Sequence, residues 1–90
     1  MAIVLIPTAL RKFTAEKAEI EVSGATAGEV IQGLAAAHPA LGAQILDNGR
    51  IRGFVNVFVG DEDIRFLDGE ATPVKSDDEV TLIPAIAGGF

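Results

Sequence analysis

The chain has 90 residues and a mass of 9.3 kDa, enough for one small domain that buries only about 60–70% of its unfolded surface. Seven Lys+Arg against 13 Asp+Glu give a net charge of −6, which argues against nucleic acid and anionic membrane surfaces as partners. With no Cys and one His there is no disulfide, no thiol nucleophile, no thiolate metal site and no His pair.

Ala2–Ile6 is a β-branched run stopped by Pro7, and reads as a strand buried on both faces. Residues 7–15 are a connection that carries Arg11 and Lys12. Lys17–Val22 alternates, with Ala18, Ile20 and Val22 expected toward a core and Lys17, Glu19 and Glu21 toward water. The two strands are expected to form an opening hairpin. MAIVLIPT lacks a basic region and is too short for a signal peptide, and no apolar run approaches the roughly 20 residues of a membrane span. A cytoplasmic location is expected.

Ser23-Gly24 breaks the second strand. Thr26 and Glu29 have capping-box spacing: the Thr hydroxyl can accept from the Glu29 amide and the Glu side chain can return the bond. Val30, Ile31, Leu34 and Ala37 follow at helical spacing, and Pro39 ends the helix near His38. Leu41, Ile45 and Leu46 belong to a short second helix or turn that stops at Asn48-Gly49.

Phe54–Val59 is the strongest strand signal. Gly60–Asp63 is an acidic turn and Ile64–Phe66 a short returning strand. Residues 67–78 contain Gly69, Pro73 and Ser76-Asp77-Asp78, a loop by turn chemistry. Val80–Ala87 is the last strand. One main helix among these strands predicts an α+β domain, with a mixed sheet covered by the helix on one face.

Most polar features have plain explanations. His38 before Pro39 fits helix termination. Asp61-Glu62-Asp63 lacks the spacing of a Ca²⁺ loop and reads as a solvated turn, with a partner contact as second choice. Asp77-Asp78-Glu79 reads as solvated, and Gly24-x-x-x-Gly28 lacks the rest of a phosphate loop. The end of the chain is different. From Val80 to Phe90 there is no charged side chain, and Gly88-Gly89 has no Cβ, so it can enter a narrow channel. Taken alone, that ending also fits a frayed terminus.

The order of elements with this ending resembles the ubiquitin-like β-grasp sulfur carriers of the ThiS and MoaD type, closest to those serving an alternative cysteine biosynthesis. The resemblance rests on Ile6-Pro7-Thr8, Leu10-Arg11, Phe54-Val55-Asn56-Val57, Asp61–Phe66 and Val80–Gly89, and spans essentially the whole chain. It implies a β-grasp domain over residues 1–87 with a flexible tail at 88–90. Because Gly88-Gly89 lies beyond the last apolar alternation, where few contacts can hold the chain, the tail is expected to leave the sheet from about Ala85. It also implies a protein that is a substrate of other enzymes and not itself an enzyme, needing no cofactor and no metal and monomeric when free. The Gly89 carboxylate would be adenylated by an E1-like enzyme and converted by sulfide or a persulfide to a thiocarboxylate. That sulfur would attack an aminoacrylate on a pyridoxal-phosphate (PLP) dependent cysteine synthase, and a JAMM-type metalloprotease would free cysteine after an acyl shift. Thiazole, molybdopterin or a sulfur-containing secondary metabolite are alternative destinations. Conjugation through Gly89 to lysines of other proteins, as a ubiquitin-like modifier, and an inert binding module are the readings from other classes.

The family pattern ends at the second glycine, whereas here Phe90 follows Gly89. That departure is read as a precursor from which a peptidase, such as the JAMM-type enzyme, removes Phe90, the alternative being a harmless extension that the activating enzyme tolerates. A carrier also needs a docking surface. Val55, Val57 and Val59 share one face of their strand, and Phe54, Asn56 and Phe58 the other. A sheet covered on one side by one helix cannot bury both faces. This favours valines inward and an open apolar patch of Phe54, Phe58 and Ile83, over an inverted facing with the two Phe in the core.

Overall fold

The structure is a computed structural model that describes residues 1–53 and 55–84. Its strands are β1 (Ala2–Leu5), β2 (Glu19–Val22), β3 (Leu46–Asp47), β4 (Arg50–Ile51), β5 (Val55–Val59), β6 (Glu62–Asp63) and β7 (Glu79–Pro84). Its helices are α1 (Ala27–Ala37) and α2 (Pro39–Ile45), with 3-10 segments at Thr8–Phe13, Ile64–Phe66 and Gly69–Ala71. Five strands form one mixed sheet in the order β2-β1-β7-β5-β6. β1 and β7 pair in parallel, and the other pairs in this sheet are antiparallel.

The helices cover one face only. Val4, Val55, Val57, Val80 and Leu82 of the sheet are buried together with Ile31 and Leu34 of α1 and Leu41 and Ile45 of α2. This corrects the expectation that the first strand is buried on both sides: Ala2 and Val4 are buried, but Ile3 and Leu5 are half-buried on the open face. Two other expected core positions are also exposed. Ala18 lies just before the edge strand β2, of which only Val22 is buried and Ile20 packs partly. Ala37 closes α1, and packing at that end passes to Leu41 and Ile45.

Thr26 caps α1, its hydroxyl accepting from the Glu29 amide at 3.2 Å. The returning bond is shifted by one residue, because the Glu29 carboxylate accepts from the Ala25 amide at 3.0 Å. Pro39 is the first residue of α2, so His38 ends one helix and precedes the next. The two helices approach closely at Gly42, where a Cβ would sit 2.8 Å from the Ala35 Cβ. Leu34→Ala leaves a cavity at the fully buried centre of α1 and should cost about 2–5 kcal/mol. A lowered urea midpoint with an unchanged slope is the expected measurement.

Two local features differ from the sequence reading. Asn48 and Gly49 are the turn of a hairpin, β3 against β4, and not only a helix stop. Both have positive φ, 54° and 81°, as a two-residue turn of this hand requires. The returning strand after the acidic turn is Glu62–Asp63, not Ile64–Phe66. The Asp63 side chain accepts from the Arg65 amide at 2.9 Å and turns the chain into a 3-10 segment that sends Ile64 into the core.

Candidate functional site

β7 is the central strand, held between β1 and β5, and runs from Glu79 to Pro84. Its last residue lies opposite Val55, the first residue of β5. Pro84 therefore sits in the middle of the sheet at that end. Ala85 through Phe90, including Gly88, Gly89 and Phe90, lie outside the described residues, as does Phe54.

The register defines the open face. Val55 and Val57 are buried toward the helices and Val59 packs partly against the same core. Phe58 therefore points to the other side, where it is half-buried, and pairs with Thr81, which in turn lies beside Leu5. Ile83 pairs with Asn56 and is 44% exposed. Leu5, Phe58 and Ile83 thus form an apolar strip across three neighbouring strands, with Glu19 of β2 opposite Leu5 at one margin and Asp63 of β6 opposite Phe58 at the other. A strip of this kind is suited to protein contact. Sequence periodicity did not reveal the contribution of Leu5, because β1 has no polar residue to mark its outer side.

Arg65 is a second feature missed in the sequence. Its guanidinium donates to the carbonyls of Gly53 at 2.5 Å and Val55 at 3.2 Å, which ties the 3-10 segment to the start of β5 beside Pro84. Arg52, which donates to the Ala43 carbonyl at 3.3 Å, lines the same groove as Arg65 and Glu70. Phe66 is 85% exposed, since Ile64 occupies the core position of that segment. Neither role has a local sequence signal. Among the described residues no group of three or more His, Cys, Asp or Glu is placed to hold a metal ion. No helix among them is long and apolar enough to cross a membrane.

The profile of the ThiS family matches residues 4–89, from the first strand through the second glycine. The chain belongs to the ThiS family. It is 42% identical over 89 residues to the sulfur carrier protein CysO of Mycobacterium tuberculosis, covering 96% of each chain. It is similar to a chain in the crystal structure of the Amycolatopsis orientalis BexX/CysO complex, with a TM-score of 0.89, 38% identity and coverage of 99% of this chain and 100% of that one. It is also 34% identical over 65 residues to small archaeal modifier protein 3 of Haloferax volcanii, covering 72% of this chain and 71% of that protein. The ThiS-family chain is therefore a CysO homologue with the β-grasp fold, from a group of small protein carriers rather than enzymes.

Proposed function

We propose that this protein, once Phe90 has been removed, carries sulfur as a thiocarboxylate on Gly89 and delivers it in biosynthesis, with cysteine as the product. The observation that carries this reading is that the family match runs to residue 89, the second glycine. The chemistry suits a chain without Cys. One oxygen of the Gly89 carboxylate attacks the α-phosphorus of ATP, pyrophosphate leaves, and an acyl adenylate forms. Sulfide then attacks the acyl carbon and AMP leaves, so that C–S replaces C–O. A persulfide in its place gives an acyl disulfide, whose S–S bond a second thiol cleaves to free the thiocarboxylate and leave a disulfide on the sulfur donor. A carboxylate is a poor electrophile, and AMP is the leaving group that makes the exchange possible. The thiocarboxylate is ionised at neutral pH and is a soft nucleophile, while the folded domain is the handle that each enzyme recognises. An E1-like adenylating enzyme, a PLP-dependent cysteine synthase and a JAMM-type metalloprotease are the partners in this scheme, and the cytoplasm its location.

The test is intact mass of the Gly89-terminated chain after incubation with ATP, sulfide and the E1-like enzyme. The expected result is the mass increase of one oxygen replaced by sulfur, confined to Gly89. Similarity to an archaeal modifier protein favours conjugation through Gly89 as a second reading. Ladders of conjugates in the cell, with no sulfur-loaded carrier, would select it.

The apolar strip is the proposed seat of the adenylating enzyme. Phe58→Asp should weaken that complex by about 1–3 kcal/mol. Because Phe58 is half-buried, Ile83→Asp serves beside it as the variant on an exposed side chain. Calorimetric titration of both, with denaturation curves to separate folding from binding, checks the prediction. Unchanged affinity in both variants would remove the strip from the interface.

A further inference from the structure

Charge on this molecule is sorted along the direction of β7. Around the Glu79 end, Gly60 donates to the Glu79 carbonyl at 2.9 Å, Ile3 to the Asp78 carbonyl at 3.0 Å and Asp77 to the Met1 carbonyl at 3.2 Å. These bonds bring the turn Asp61-Glu62-Asp63 beside Asp77-Asp78-Glu79, six carboxylates against Lys75 and the terminal amine. The Pro84 end is the reverse. Arg11 donates through Nε to the Ile6 carbonyl at 3.0 Å, just past β1, and Lys12 is exposed next to it. Ile6 also donates to the Ala18 carbonyl at 2.8 Å, which brings Lys17 to the same end. Arg65 grips Gly53 and Val55, and Arg52 shares its groove. Four of the seven basic residues, Arg11, Lys12, Arg52 and Arg65, thus lie around the end of β7. Lys17 is close by in a groove it shares with Glu19 and Glu21, and Glu16 and Glu70 are the other acids nearby.

We propose that the cationic end of the sheet around Pro84 is a docking surface for a carboxylate-lined rim at the channel entrance of the adenylating enzyme, and that the acidic opposite end turns the carrier tail-first as it approaches. This rests on the carrier reading above. Geometry makes the rim, and not the nucleotide, the partner of these cations. Ala85 to Gly89 is five residues, which extended reach up to about 18 Å, so with a Gly89 carboxylate at the reacting phosphorus the residues around Pro84 can stand that far back, at the mouth of the channel and not at the nucleotide. Acidic groups at the opposite end are repelled by the same rim, and an asymmetric field of this kind selects orientation during encounter more than it adds affinity.

The experiment measures association of the purified E1-like adenylating enzyme with the 90-residue chain and with its Gly89-terminated form. Ionic strength runs from about 0.01 to about 1 M, over which the screening length falls from about 30 to about 3 Å. The variants are Lys12→Glu with Lys17→Glu, both exposed, and Lys75→Glu at the acidic end as control. The expected result is an association rate at least about tenfold lower for the double variant at low salt, converging on wild type at high salt, with Lys75→Glu nearly unaffected. Equal rates in the wild type and the double variant, a defect that salt does not erase, or an equal defect in Lys75→Glu would overturn the proposal. If the Gly89-terminated wild type is never adenylated, the carrier reading itself fails, and the docking proposal falls with it.

Discussion

Gly89→Ala should leave the stability of the domain nearly unchanged and abolish or strongly slow adenylation. The stability part follows from the position of residue 89 in the chain, five residues beyond Pro84, the last described strand residue, and one before the C-terminal Phe90. The activity part follows from sterics. A channel that admits Gly88-Gly89 is shaped to a backbone without Cβ atoms, and a methyl group on the acyl carbon's neighbour crowds both the attack on ATP and the later attack by sulfur. Displacement of the acyl carbon from its in-line position by about 1 Å can cost on the order of a hundredfold in rate. Pyrophosphate release, measured with the adenylating enzyme in excess, checks the effect, and a denaturation curve checks the fold. A variant adenylated at the wild-type rate would show that residue 89 is not the reacting group.

Removal of Phe90 should switch the carrier on. In the 90-residue sequence the Gly89 carbonyl is an amide to Phe90, so the free carboxylate belongs to a residue with a benzyl side chain. An amide oxygen is a far weaker nucleophile toward ATP than a carboxylate and yields no acyl adenylate, and a Phe90 carboxylate would place that bulk where the reaction needs bare glycine. The expected result is therefore rapid thiocarboxylate formation by the Gly89-terminated chain and little or none by the longer one. A JAMM-type metalloprotease added to the longer chain should restore it. Cleaving the Gly89–Phe90 amide and releasing cysteine from Gly89 both hydrolyse the bond after the same carbonyl, so one enzyme can serve both steps. The check is intact mass alongside the rate: a thiocarboxylate that forms equally fast with Phe90 still attached would rule out the precursor.

The parts of this protein readable in the sequence are those written in near neighbours. Thr26 and Glu29 marked the start of α1 because a cap needs only residues three apart, and the valines of β5 marked its inner face because a strand alternates by twos. The α+β layout followed from the succession of such local signals, and the resemblance to sulfur carriers from motifs spread along the chain with Gly-Gly near its end. Short elements carried too few residues for periodicity to act on. β3 and β4 have two residues each, and the 3-10 segment at Ile64 was set by the Asp63 side chain and by the core position open to Ile64.

Tertiary structure decided everything that depends on which distant segments meet. The parallel pairing of β1 with β7 joins the two ends of the chain, and nothing within either strand names its partner. That pairing places Leu5, Thr81 and Phe58 in one row and leaves Leu5 on the open face, although β1 by itself reads as buried on both sides. The antiparallel pairing of β5 with β7 gathers Asp61–Asp63 beside Asp77–Glu79 at one end of the sheet and brings Arg52 and Arg65 to the other, where Arg11 and Lys12 follow β1. Local sequence sets the shape of each segment through steric and hydrogen-bonding preferences that act over a few residues. Burial and the electrostatic field depend on distances through space, and those exist only once the strands have chosen their neighbours.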